Sequence, residues 1–195
     1  MRDPPEFASQ QETLKPRPAV FLGGATAIAV VSFAFLPWPA AIASLVLGTL
    51  MIAGADVDAR MFLLPDTVTY GALLTGMAAA YALNPLQPGL ALQAAAARAA
   101  GTAALLLLLR WGYARLRRRE GLGLGDIKLA AGVGAWLPLN AIPLCFAFAA
   151  GGALMLVMLE HLRGRKLAAT TRIPFGAFLC PSLWLVFYLD TLARS

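Results

Sequence analysis

Two aspartates carry most of the chemistry that this sequence supports. Asp58 ends an apolar run, and Asp126 follows a glycine-alternating loop that contains Gly123 and Gly125. Two carboxyl groups close enough to share a proton cannot both ionise, so the pKa of one rises and that of the other falls. The ionised carboxylate can deprotonate a water while the protonated one polarises an amide carbonyl. This pairing is the chemistry of an aspartic protease.

The glycines before Asp126 suit such a site. Because Gly123 and Gly125 lack a Cβ, another backbone can approach them closely, as an extended peptide beside a carboxylate must do. The loop has neither the GxxxxGK[ST] pattern nor the GxGxxG spacing, which argues against a phosphate-binding site. A flexible entry to a helix is the structural alternative for such a loop.

The remaining residue types disfavour most other catalytic chemistries. His161 is the single histidine, and Cys145 and Cys180 lie in apolar stretches without CxxC or Cys/His spacing. This argues against a disulfide framework, a thiolate metal site and Ser/His or Cys/His catalysis. We therefore expect carboxylate catalysis with no metal and no cofactor.

The elements that position these residues are membrane helices. The chain is 59% hydrophobic and 13% charged, with a mean hydropathy of +0.71, whereas soluble domains are about a quarter charged. Several apolar runs approach the roughly 20 residues that a helix needs to cross a bilayer. They predict helices at residues 19–38, 40–55, 67–83, 91–111, 142–159 and 174–189.

One further helix is expected between the fourth and the last two of these runs. A single helix over residues 126–160 would be about 52 Å long, too long for one crossing. Pro138 and Pro143 mark a turn inside it, so we divide off a short helix at 126–136. The predicted fold is all-α: a polytopic membrane helix bundle of about seven helical segments, the fifth too short to span.

The basic residues predict the orientation of this bundle. The net charge is +6, and the predicted spans place 14 of the 16 Lys and Arg residues at or near one face; Arg98 and Arg194 are the exceptions. By the positive-inside rule that face is cytoplasmic, as is the N-terminus. We expect a polar cytoplasmic tail at residues 1–18, a membrane domain at 19–195, contact with membrane lipid and no nucleic-acid partner.

Four of the ten acidic residues lie near the spans rather than at plainly solvated positions: Asp56, Asp58, Asp66 and Asp126. Asp56 and Asp58 are about 200° apart around a helix, so only one should face a shared site. Asp66 follows Pro65 at a predicted helix start, where we expect its side chain to cap the helix. Asp126 also begins a helix, whose dipole favours a charged carboxylate, so Asp58 is expected to hold the shared proton.

Three segments together resemble the type IV prepilin peptidases, intramembrane aspartic proteases of the GxGD class. They are Asp58 with Leu64-Pro65-Asp66, Gly123-Leu124-Gly125-Asp126-Ile127-Lys128, and Ile173-Pro174-Phe175-Gly176. The resemblance implies an enzyme of the bacterial or archaeal cytoplasmic membrane that removes the leader peptide of prepilin or pilin-like precursors at the cytoplasmic face. It implies catalysis by Asp58 and Asp126, with Gly123 and Gly125 completing the loop.

The sequence also departs from the longer members of that family. Those members carry a cytoplasmic insert after the first span, often with two CxxC pairs, and they also methylate the new N-terminus. Here only Pro37-Trp38-Pro39 separates the first two runs, and no CxxC is present. The resemblance therefore implies a peptidase without methyltransferase activity, S-adenosylmethionine or zinc. Presenilin-like proteins fit less well, because a late Pro-Ala-Leu motif is absent.

Supporting roles remain open at several positions. Lys128 either snorkels to the interface, which we favour, or contacts an acidic group of the substrate. Asp66, Pro174, Phe175 and Gly176 are candidates to support the site or touch the substrate. Two other classes of function stay in view: a small cation- or proton-coupled transporter, which would place acidic groups near the middle of the bilayer, and a non-catalytic scaffold.

Overall fold

A computed structural model describes residues 16–117, 123–163 and 174–195 of the chain. These residues form seven α-helices, numbered here in chain order: α1 (Pro18–Phe35), α2 (Trp38–Met61), α3 (Asp66–Ala82), α4 (Pro88–Arg117), α5 (Leu124–Trp136), α6 (Ile142–Leu162) and α7 (Phe175–Leu192). The predicted polar tail falls largely on residues 1–15, outside the described residues.

The all-α prediction is confirmed, including the short fifth helix. Within the described residues, five helices are long and apolar enough to cross a membrane: α1, α2, α4, α6 and α7. Helix α5 has 13 residues and a length of about 20 Å, well short of a hydrocarbon core of about 30 Å. Helix α3, with 17 residues, is also not among the five, although a span was predicted at residues 67–83. The chain is therefore a multi-pass membrane protein.

Prolines mark several helix starts. Pro18, Pro39 and Pro143 each lie in the first turn of a helix, where a backbone N–H has no helical partner and the fixed φ of proline suits the helix. The turn expected between Pro138 and Pro143 is present, because α5 ends at Trp136 and α6 begins at Ile142.

Helices α2 and α7 form the centre of the bundle. They pack against each other, α1 packs on α2, and α6 packs on α7, while α3 and α4 pack against α5. Buried side chains of α2, α5 and α7 share one core: Leu47, Met51, Leu129, Val133, Leu179 and Leu183. This core fixes the ends of α2, α5 and α7 relative to one another.

A buried polar contact joins α1, α2 and α7. The hydroxyl oxygens of Ser32 and Ser44 are 2.8 Å apart, and the Trp184 indole N–H donates to Ser44 Oγ at 3.0 Å. Small hydroxyl side chains allow close helix packing in a membrane and satisfy each other's hydrogen bonds. The contact holds the helices that flank α2 against it.

Candidate active site

Asp58 lies in the last turn of α2 and points at the beginning of α7. Its side chain is almost fully buried, since the residue is 5% exposed. The Ala177 backbone N–H, in the first turn of α7, donates a hydrogen bond to Asp58 Oδ2 at 2.8 Å. The first N–H groups of a helix have no partner within it, so the start of α7 supplies a donor to this carboxylate.

A left-handed residue ends α2 four positions after Asp58. Phe62 has φ 52° and ψ 31°, and its N–H donates to the Asp58 carbonyl oxygen at 2.9 Å. It is the one non-glycine residue with positive φ among the described residues, a conformation that is rare for bulky side chains. It redirects the chain into the connection that leads to Pro65 and α3.

Gly176 makes room for the Asp58 carboxylate. A Cβ at this position would lie 2.8 Å from Asp58 Oδ2 and 3.0 Å from Asp58 Cγ, closer than side-chain atoms normally approach. Only glycine therefore lets the first turn of α7 approach the carboxylate this closely.

Asp126 lies in the first turn of α5, where Gly123 is the N-cap. The Gly123 backbone N–H donates a hydrogen bond to the Asp126 carboxylate. An acidic side chain at the third helical position that reaches back to the N-cap N–H is one half of a capping box. The alternating glycine loop is thus tied directly to the aspartate that follows it.

The two aspartates lie near enough for their charges to interact. Asp126 lies at the N-terminal end of α5, which is not one of the five helices long enough to span a membrane. Burial and, to a smaller extent, the negative charge of Asp58 raise the pKa of Asp126 to about 6, and the Gly123 hydrogen bond opposes the rise. The structure therefore places both carboxyl groups at one end of the bundle, which we call the aspartate face.

Leu64 lies between the segments that carry the two aspartates. A Cβ on Gly125 would be 3.0 Å from Leu64 Cβ, and a Cβ on Gly176 would be 3.0 Å from Leu64 Cδ1. The leucine also packs against the main core. Leu64 was not identified from the sequence as part of the site. Its position in the Leu64-Pro65-Asp66 segment was the one indication of such a role.

Asp56 faces away from Asp58, as their angular separation around α2 predicts. Asp56 Oδ2 accepts a hydrogen bond from the Arg17 backbone N–H at 2.9 Å and pairs with the Arg60 guanidinium at 2.8 Å. It links the end of α2 to the residue that precedes α1. Its contacts are structural.

The prediction that Asp66 caps α3 is wrong. Pro65 is the N-cap and Asp66 the first helical residue, and no side-chain cap bond is formed. Instead Asp66 Oδ1 accepts a hydrogen bond from the Lys128 ammonium, which also lies 5.2 Å from the centre of the Tyr70 ring. The bond to Asp66 raises the pKa of Lys128. The exposed ion pair joins α3 to α5 beside the aspartates.

The third motif begins the last helix, as expected. Pro174 is the N-cap of α7 and Phe175 its first residue, which packs against the main core. Of the three candidate residues here, Gly176 is the one that closely approaches Asp58. Ile173 lies outside the described residues.

Acidic, histidine and cysteine side chains do not gather into a metal site within the described residues, where no group of three or more could hold an ion. Asp58 and Asp126 are instead a pair of carboxyls, one hydrogen-bonded at the start of α7 and one at the start of α5. Such a pair can divide a proton and act as base and acid.

Comparisons with known proteins identify the family of this chain. The model of the type IV leader peptidase family matches residues 45–159. The leader peptidase HopD of Escherichia coli is 35% identical over 136 residues, which cover 70% of this chain and 85% of that protein. No solved structure matches.

Longer relatives match as well. A prepilin leader peptidase/N-methyltransferase of Aeromonas hydrophila is 31% identical over 179 residues, covering 91% of this chain and 60% of that protein. One of Xanthomonas campestris pv. campestris is 33% identical over 148 residues, covering 74% and 49%. The match thus spans about half to three fifths of these longer relatives.

Proposed function

Because this chain belongs to the type IV leader peptidase family, we propose that it is a membrane-embedded aspartic endopeptidase that uses Asp58 and Asp126. The observation that carries the proposal is the placement of the two carboxyl groups at one end of the bundle: Asp58 is hydrogen-bonded to the start of α7, Asp126 lies at the start of α5, and Leu64 lies close to Gly125 and Gly176 of these two helices. The relatives named above are peptidases by name, and none supports the transporter alternative.

In the proposed mechanism Asp58 is the base and Asp126 the acid. From the sequence Asp58 was expected to hold the shared proton, but the Ala177 N–H donates to Asp58 and favours its charged form. Asp126 also accepts a backbone N–H, from Gly123, so the assignment rests on the negative charge of Asp58, which raises the pKa of Asp126. The two carboxyls titrate as a pair, so this assignment describes the dominant arrangement of one proton.

The reaction then needs only these two groups and water. Asp58 takes a proton from a water molecule as the water oxygen bonds to the scissile carbonyl carbon. Asp126 transfers its proton to the carbonyl oxygen, which gives a neutral tetrahedral diol. Asp58 returns its proton to the departing amide nitrogen, the C–N bond breaks, and one hydroxyl proton of the diol returns to Asp126 as the new carboxyl group forms.

The proposed substrates are type IV prepilins or pilin-like precursors, cut to release the leader peptide. The names of the Aeromonas and Xanthomonas relatives support this class of substrate. Asp58 and Asp126 lie at helix ends, which suits a bond at the edge of a membrane-embedded segment. The positive-inside rule supports a cytoplasmic position for this face, in a bacterial or archaeal cytoplasmic membrane.

We propose that residues 19–195 form the peptidase domain and that it acts without methyltransferase activity. Helices α1 and α2 are joined by residues 36–37 alone. No insert of the kind found in the longer family members separates them. No metal, S-adenosylmethionine or other cofactor takes part in the proposed reaction.

Single amide substitutions test the pair directly. Asp58→Asn and Asp126→Asn should each lower the rate of precursor cleavage at least about 100-fold, since each removes a general acid–base group. Asp56→Asn is the matched control on α2 and should keep cleaving, because Asp56 bonds to Arg17 and Arg60 instead. The assay follows a purified prepilin to its shortened product. Full activity of either dyad variant, with normal membrane insertion, would exclude the mechanism.

A further inference from the structure

A cavity of about 640 Å³ lies at the end of the bundle opposite the aspartates. Pro37, Asn84 and Pro138 line it, one from each helix connection at that end, and Trp136 and Phe187 add aromatic surface. Its volume is within the range of small-molecule sites, roughly 300–1,000 Å³. The proposed proteolysis does not use this cavity.

The two basic residues that break the charge asymmetry of the sequence both line this cavity. Arg98 lies on α4 and Arg194 follows α7, far apart along the chain, yet both side chains border the same space. The positive-inside rule disfavours cations at this face. Because both line one cavity, we infer that these two basic residues serve this cavity and do not set the membrane orientation.

Among the residues that the structure describes, Arg98 is the cation of the cavity with no carboxylate partner. Arg194 pairs with Asp190, another lining residue, at 3.0 Å. No Asp or Glu of the described residues forms an ion pair with Arg98. Arginine within a membrane helix is costly and normally faces a partner or a polar cavity.

The guanidinium of Arg98 is held in a defined position. Its Nε donates to the Gly134 carbonyl oxygen of α5 at 3.2 Å. A Cβ on Gly134 would collide with the Arg98 carbonyl oxygen, so glycine allows α4 and α5 to come this close. The terminal amino groups of Arg98 form no hydrogen bond with the described residues, which leaves them to an anion.

We propose that this cavity binds a phosphate-bearing anion through Arg98, on the face opposite the active site. Arginine presents paired N–H donors whose spacing matches two phosphate oxygens. The headgroup of an anionic membrane lipid supplies this chemistry, and Trp136 and Phe187 offer apolar surface to the rest of the lipid. Free phosphate is the other source of the same group.

Thermal unfolding of the detergent-purified full chain tests the site with three probes: phosphatidylglycerol, zwitterionic phosphatidylcholine and inorganic phosphate. We expect phosphatidylglycerol to raise Tm and phosphatidylcholine not to. Arg98→Gln should weaken phosphatidylglycerol binding by about tenfold or more, because the substitution removes a charge-assisted hydrogen bond. Arg115→Gln is the control: it removes the same charge from the other end of α4, where Arg115 lies over the Trp111 ring.

The outcomes separate the two sources and the failure of the proposal. An Arg98-dependent shift with phosphatidylglycerol alone identifies a lipid headgroup, and an equal Arg98-dependent shift with inorganic phosphate identifies the free anion. Equal shifts in wild type and Arg98→Gln would overturn the proposal. If Arg98→Gln does not fold, native mass spectrometry of the wild type decides, since equal retention of phosphatidylglycerol and phosphatidylcholine would also overturn it.

Discussion

Replacing Gly176 by alanine should separate activity from stability at this site. The added Cβ would lie 2.8 Å from Asp58 Oδ2, whereas ordinary contact begins at 3.4 Å. The carboxylate must therefore move by about 0.6 Å. A movement away from α7 stretches its 2.8 Å bond from the Ala177 N–H to about 3.4 Å, beyond the usual range for such bonds.

The main expected effect of the substitution is a lower rate of catalysis. A displacement approaching 1 Å in a reacting group lowers rates by about 100-fold, so we expect kcat/KM of Gly176→Ala to fall by about 10- to 100-fold. The weakened Ala177 bond should lower the free energy of unfolding by no more than about 1.5–3 kcal/mol, the value of a hydrogen bond to a charged group, so the variant should remain folded at the assay temperature.

The assay measures prepilin cleavage and thermal unfolding on the same preparations. Gly151→Ala on α6 is the matched control, because nothing lies within 4 Å of a Cβ at that position; it should cleave at the wild-type rate. Wild-type kcat/KM in Gly176→Ala would refute the proposed positioning of Asp58. A loss of activity accompanied by an equal loss of folded protein would refute the separation of the two effects.

Three further predictions concern pH, a surface pair and helix packing. Asp126 must be protonated in the proposed mechanism and its pKa is raised to about 6, so kcat/KM should fall about tenfold per pH unit above that value; a flat profile from pH 6 to 8 contradicts this. Lys128→Gln removes an exposed pair with Asp66 and should leave cleavage within about threefold of wild type, whereas a selective rise in KM would indicate substrate contact. Trp184→Phe removes a hydrogen bond to Ser44 and should lower the free energy of unfolding by about 1 kcal/mol in a denaturant titration, with cleavage unchanged at permissive temperature.

The helices were predictable because hydropathy and proline report locally on a membrane segment. The turn near Pro138 and the short α5 followed from a length argument together with the positions of Pro138 and Pro143. The opposite directions of Asp56 and Asp58 followed from helical geometry, and their different partners agree with it. These features depend on residues a few positions apart, so one sequence suffices to derive them.

The long-range features of the site were not predictable in this way. Asp58 and Ala177 are 119 positions apart, and no local pattern encodes that contact. The capping role expected for Asp66 was wrong because a lysine of α5 competes for its carboxylate. Leu64 was missed because it carries no chemical group; only packing reveals that it separates the segments of the two aspartates.

The crowding around Leu64 also governs how the protein tolerates change. Beyond Gly125 and Gly176, a Cβ on Gly54 of α2 would lie 2.8 Å from Val68 Cγ1 and 3.0 Å from Cys180 Sγ, and in ordinary contact with Leu64. Three helices thus contribute positions that work by having no side chain. In a saturation-mutagenesis experiment these three glycine positions should therefore tolerate substitution as poorly as the two aspartates. The positions at which no side chain fits would then mark the boundary of the active site.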